Sequence, residues 1–85
     1  MITHNAYANG VQSLGATIDG HRFTYGLMPP GIYQFNNSTE EHITILDGAA
    51  QINGQLYQAG QTCVVTSEAG VNIETVGCGY RCEYH

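Results

Sequence analysis

Turn signals divide this chain at short intervals: Asp19-Gly20, Pro29-Pro30-Gly31, Asn36-Asn37, Asp47-Gly48, Asn53-Gly54, Ala59-Gly60 and Gly77-Cys78-Gly79. Asp-Gly and Asn-Gly accept the positive φ angles that tight hairpins require. The stretches between these signals show no helical apolar period. They are short and supplied with Thr, Val, Ile and Tyr, which suit a pleated, half-buried surface. Strands are expected over residues 11–14, 16–18, 23–28, 31–36, 42–46, 49–52, 55–58, 62–66, 71–76 and 80–84. Asn53-Gly54 is the strongest hairpin signal. Many short strands at even spacing predict an all-β antiparallel sandwich or barrel.

The 85 residues suffice for one domain, 1–85, with the polar residues 1–9 as an N-terminal arm. Arg22 and Arg81 are the only strong bases against seven acids, a formal charge of −5. That balance argues against nucleic acid and anionic membranes as partners. The first residues hold no apolar run, so neither a signal peptide nor a membrane span is expected. Cys63, Cys78 and Cys82 show no secreted framework spacing. Four residues apart on a strand, Cys78 and Cys82 would stand ~13 Å from each other, too far to bridge without a sharp bend. Reduced thiols and a cytoplasmic location are the expectation.

Glu41 and Gly48 enclose six residues, as at the end of the first sequence motif of the cupin barrel, which this order of parts resembles. The two histidines of that motif would fall at 34 and 36 or at 35 and 37. Those positions hold Gln34 and Asn36, or Phe35 and Asn37. After Gly60, Thr66 and Val71 stand where a proline and a third histidine are usual. A cupin metal centre needs imidazoles aimed at one point. His42 adjoins Glu41 and so faces the other side of its strand. His42 therefore reads as a surface or half-buried strand residue, and His4, His21 and His85 as solvated.

A narrower resemblance spans nearly the whole chain. Arg22–Phe35 (RFTYGLMPPGIYQF) resembles the R-x-x-x-G-V-M-x-P-G-x-Y-x-F pattern of the small pyrimidine/purine nucleoside phosphorylases. Glu41–Gly48 (EHITILDG), Ala59-Gly60, Tyr80–Tyr84 (YRCEY) and Asn5–Gly10 (NAYANG) resemble further segments of that family, in order. The resemblance implies a metal-independent, cupin-like antiparallel β-barrel (a jelly roll) that forms a homodimer. It also implies phosphorolysis of a broad range of nucleosides to free base and ribose 1-phosphate. No cofactor is implied, only inorganic phosphate as co-substrate. The family's Lys after the first glycine is absent here, the hairpin at Asn53-Gly54 is shorter, and Asp47 replaces a frequent Ser.

Phosphorolysis of an N-glycosidic bond passes through a ribosyl cation, so positioning and electrostatics supply most of the catalysis. Arg22 is the candidate for phosphate, against a solvated strand-end arginine. Glu41 is the candidate to bind ribose hydroxyls, stabilise the sugar cation or protonate the leaving base. The alternative is a carboxylate paired with Arg22 or a turn. Tyr33 and Phe35 share one strand face and either stack on a base or pack the core. Gln34 and Asn36 share the other face, as base or sugar readers or as plain polar strand residues. Tyr80 shares a face with Cys82 and Tyr84 and is a further substrate-binding candidate. Cys82 reads as a small buried hydrophobe. Arg81 falls on the opposite face. A second functional reading is a catalytically inactive, metal-free cupin that holds a small polar ligand.

Overall fold

The structure, a computed structural model, describes residues 2–7 and 9–85. Residues 1 and 8 of the expected arm lie outside the described residues. The strands are β1 (Thr3–Ala6), β2 (Gln12–Ile18), β3 (His21–Met28), β4 (Gly31–Phe35), β5 (Glu41–Ile52), β6 (Gln55–Gln58), β7 (Thr62–Val65) and β8 (Val71–Tyr84). Every pairing is antiparallel. Among the described residues no helix is long and apolar enough to cross a membrane.

Two-residue hairpins form where the turn chemistry is strongest. Asp19-Gly20 joins Ile18 to His21, and Asn53-Gly54 joins Ile52 to Gln55, all four turn residues at positive φ. The expected arm contributes β1, which pairs with β2 from Thr3↔Gly15 to Ala6↔Gln12.

Three expected breaks are not breaks. Gly15 stays within β2, so 11–14 and 16–18 do not form separate strands. Its missing Cβ makes room for a neighbour: a Cβ there would meet the Arg22 guanidinium at 2.6 Å. Asp47-Gly48 and Gly77-Cys78-Gly79 are not hairpin turns either. They lie opposite each other inside β5 and β8, at Asp47↔Gly79 and Gly48↔Cys78, with register shifts on both sides. Gly48 (φ 76°) and Gly77 (φ 121°) supply the positive φ of a bulge, which bends a strand without ending it.

The bulges also move the buried face from one residue parity to the other. Strand β5 buries Ile43 and Ile45 before its bulge and Ala50 and Ile52 after it. Strand β8 buries Val71, Ile73 and Thr75, then Cys78, Tyr80 and Cys82. Without the extra residue, strict alternation would turn the second half of each strand inside out. The two long strands can therefore serve both halves of the barrel. The first half of β8 lies between β4 and the end of β5, and its second half between β3 and the start of β5. Strands β6 and β7 line the other edge of β5. The enclosed core centres on Val11, Ile45, Ile52 and Val71.

Candidate functional site

The second half of β8 sets Tyr84, Cys82 and Tyr80 directly across from Glu41, Ile43 and Ile45 of β5. Both rows face inward. All of them but Ile45 floor an open-ended pocket of about 240 Å³, which Met28, Phe35, Asn36 and Tyr7 help to wall. The volume lies just below the ~300–1,000 Å³ usual for small-molecule sites. Tyr7 and Phe35 meet edge to face at its mouth, with ring centroids 6.3 Å apart.

Glu41 is half-buried, and burial raises its carboxyl above the ordinary value of 4.5. The Cys82 thiol donates to Glu41 Oε1 at 3.2 Å and opposes part of that rise. Burial, then the Glu41 charge, pushes Cys82 far above the thiol range, which keeps it a donor rather than a nucleophile. Burial likewise pushes the Tyr80 phenol up to about 12. Tyr84 rises through burial, although its hydroxyl shares a hydrogen bond with Thr24 at 3.3 Å. A carboxyl inclined to hold its proton thus sits among neutral S–H and O–H groups. Such a site can donate a proton to a bound ligand.

Of the residues singled out in the sequence, Glu41, Phe35, Asn36 and Tyr80 come together at this pocket. Tyr33 does not line it. It is buried behind Phe35, their rings 6.4 Å apart and nearly parallel, and its hydroxyl donates to the Pro29 carbonyl. Gln34 is exposed, on the face of β4 opposite Tyr33 and Phe35. Asn36 does not follow Gln34, because β4 ends at Phe35 and the chain leaves strict alternation there. Arg22 stands apart from the pocket lining. It is exposed, opposite Tyr84 in register, with Nη2 3.5 Å from Thr3 Oγ1. Arg81 lies on the outer face, where Nη2 donates to Thr44 Oγ1 at 3.4 Å. Cys63, Cys78 and Cys82 are free, buried thiols.

Tyr7, Tyr84 and Cys82 line the site without having been chosen as binding residues. The period-two run Tyr80-Cys82-Tyr84 is the signal that could have found the latter two. Tyr7 is the tyrosine of the Asn5–Gly10 run, and it reaches the pocket because β1 folds back on β2.

Asn37 holds the loop beside Asn36. Its buried side chain donates to Thr39 O (3.1 Å) and Thr66 O (2.7 Å) and accepts from the Gly70 N–H (2.8 Å). Asn37→Ala orphans these groups, so we expect a loss of about 2 kcal/mol in stability, read from urea unfolding. An unchanged midpoint would show that the loop holds itself without this side chain.

Among the described residues, the pocket lining supplies one carboxylate and one thiol but no imidazole. Positions 34–37, where cupin ligands would fall, hold an exposed Gln34, the aromatic Phe35, Asn36 at the pocket and an Asn37 committed to backbone groups.

Three comparisons bear on this arrangement. The sequence profile of the pyrimidine/purine nucleoside phosphorylase family matches residues 2–84. The chain is 34% identical to the pyrimidine/purine nucleoside phosphorylase of Sorangium cellulosum, over 99% of each chain. It superposes with a TM-score of 0.90 on a Vibrio parahaemolyticus protein of unknown function, 30% identical, covering 100% of this chain and 99% of that one. An RmlC-like cupin from Ralstonia eutropha, 13% identical, matches with a TM-score of 0.76 over 98% of this chain and 62% of its own. The all-β antiparallel fold is cupin-like.

Proposed function

Because the chain belongs to the pyrimidine/purine nucleoside phosphorylase family, we propose that it cleaves purine and pyrimidine nucleosides with inorganic phosphate, without a metal, giving free base and ribose 1-phosphate. The observation that carries this reading is Glu41, a carboxyl whose proton affinity is raised by burial in a pocket of neutral donors. A phosphate oxygen bonds to C1′ as the C1′–N bond breaks, and its electron pair leaves with the base. Protonated Glu41 donates its proton to the departing base, and the resulting carboxylate lies beside the positive charge on the sugar. Tyr80, Tyr84 and Asn36 offer hydrogen bonds to sugar or base. Phe35 and Tyr7 offer ring surface for stacking, with Tyr33 supporting Phe35 from behind. Gln34, on the outer side of β4, takes no part in this arrangement.

Arg22 is the proposed phosphate cation. It is paired in register with Tyr84, its side chain is long and solvated, and Arg81 is bound to Thr44 on the outer face. Arg22→Ala is expected to raise the KM for phosphate roughly 10–100-fold, the range for losing a hydrogen bond to a charged group. An unchanged phosphate KM would remove Arg22 from the site.

The deciding experiment incubates uridine, cytidine, inosine, guanosine, adenosine and xanthosine with the protein, with and without phosphate. Products are followed by chromatography. Base and ribose 1-phosphate appearing only with phosphate is the expected result. One observation favours a second reading, a binding module without turnover: the chain has no lysine, and no cationic side chain among the described residues lines the pocket. That reading predicts saturable nucleoside binding with no base release.

A homodimer and a cytoplasmic setting belong to the same proposal. The exposed apolar side chains Leu14, Tyr25, Leu27 and Leu46 border one shallow outer depression, which a second copy would cover.

A further inference from the structure

Glu83 and His85 lie two residues apart and His21 far from both in the chain, so the sequence shows no metal-binding motif. The fold brings them to one end of the outer sheet face, behind the wall that carries the pocket. Arg22↔Tyr84 and Glu41↔Tyr84 are register partners, so one step beyond them His21, His85 and Glu40 form a row at the ends of β3, β8 and β5. Glu83 and His42 face each other two residues further in, on the same face of the sheet. The backbone N–H of His85 donates to the Glu40 carbonyl at 2.8 Å, which ties the end of β8 into that row.

The side chains converge. Glu83 Oε2 lies 3.4 Å from His85 Nε2 and 3.7 Å from His21 Nδ1. One ligand atom from each of the three residues falls within 4.8 Å of the others. Tetrahedral zinc with ligands at ~2.0–2.1 Å has ligand–ligand edges of ~3.3 Å, so the set needs to close by only a fraction of an ångström along its two Glu83 edges. The His42 ring stacks on His85 with centroids 4.1 Å apart, and His42 Nε2 is 2.8 Å from Glu40 Oε2. The stacked His42 ring, fixed by Glu40, covers the His85 ring from one side and limits its rotation.

We propose that His21, Glu83 and His85 bind a divalent transition cation of the zinc type, with one coordination position left to solvent. Two imidazoles and one carboxylate suit Zn²⁺, Ni²⁺ or Cu²⁺ and discriminate against Mg²⁺ and Ca²⁺, which prefer all-oxygen shells. The cation would join the ends of β3 and β8 on the face opposite Tyr84. The site is separate from the nucleoside pocket, so its test stands or falls independently of turnover.

The test is calorimetric titration of the untagged full chain with Zn²⁺, and with Mg²⁺ as the contrast, backed by the absorption spectrum of the Co²⁺ form. Saturable Zn²⁺ binding at a single site is expected, with no response to Mg²⁺ and tetrahedral-strength visible bands with Co²⁺. Glu83→Gln and His85→Ala should each weaken Zn²⁺ binding more than ~100-fold, and His42→Ala, which removes only a stacked ring, far less. All four side chains are at least partly solvent-accessible, and melting without metal confirms that the variants fold. Zn²⁺ should raise the melting temperature of the parent chain and not of His21→Ala/His85→Ala. Binding unaffected by that double substitution, or abolished only by blocking the thiols, overturns the proposal. So does the absence of saturable binding.

Discussion

Glu41→Gln is expected to lower phosphate-dependent base release about 10²–10⁴-fold, the range for losing a positioned general acid, while the chain remains folded. The amide keeps the shape and an oxygen that can accept the Cys82 S–H. It removes the acidic proton and the charge, and puts an NH2 group in place of one oxygen. The pH dependence provides an independent check. Burial raises the folded-state pKa of Glu41 above 4.5, so the folded chain holds this proton more tightly than the unfolded chain does. Glu41 therefore favours folding most below the ordinary carboxylate range. Its contribution is lost as pH rises from the ordinary value through the raised one. The substituted amide does not titrate. The variant should match the parent in acid and melt a few degrees higher near neutrality, with the gap opening across that window. For the parent enzyme, kcat/KM should fall as pH rises through the raised pKa of the free chain, and Glu41→Gln should lose that limb. Retention of more than a tenth of the parent rate would sink the assignment of Glu41 as the acid. A melting gap of the opposite sign would mean that the carboxylate form is the stabilised one.

Gly48→Ala should cost at least about 3 kcal/mol in stability, a large share of the ~5–15 kcal/mol available to a domain of this kind. A Cβ at Gly48 would lie 2.5 Å from the Gly77 carbonyl oxygen and 3.3 Å from Cys78 Cα. Both are backbone atoms of the facing bulge, so no side-chain rotation relieves the clash. Gly54→Ala provides the contrast. Its φ of +84° resembles the +76° of Gly48, but an added Cβ would meet nothing within 4 Å. It should therefore cost only the left-handed strain, about 1–2 kcal/mol. The difference between the variants isolates the close approach of the two bulges. In melting temperature, Gly48→Ala is expected to fall by more than about 10 °C. Equal losses for the two variants would mean that β5 and β8 can separate at the bulge without penalty.

Most of the barrel could be read from local chemistry. The dipeptides at Asp19-Gly20 and Asn53-Gly54 specify two-residue hairpins because few other pairs tolerate positive φ twice in succession. Alternation in 71–76 and 80–84 marks the buried face of each segment. The same reasoning fails at Asp47-Gly48 and Gly77-Cys78-Gly79. A glycine at positive φ serves a hairpin turn and a bulge equally well, and only a facing strand decides between them. The pocket was legible to a similar degree. Glu41 and Tyr80 belong to runs with a clear family pattern, and Phe35 follows from the strand. Gln34 and Asn36 separate because β4 stops between them, a boundary that rests on the register with Val71 rather than on any local residue.

The class of fold, the family and the loss of the usual cupin histidines thus follow from the chain alone, because they depend on residue type and spacing along it. Strand pairing settled the rest: which strands run through their glycines, and that Arg22 lies beside Thr3 rather than Glu41. It also brought Tyr7 to the pocket and gathered His21, Glu83 and His85 at one corner. Each of these depends on which strand lies beside which. Pairing in a barrel links residues far apart in the chain, and a shift of one residue in that pairing exchanges the inside for the outside.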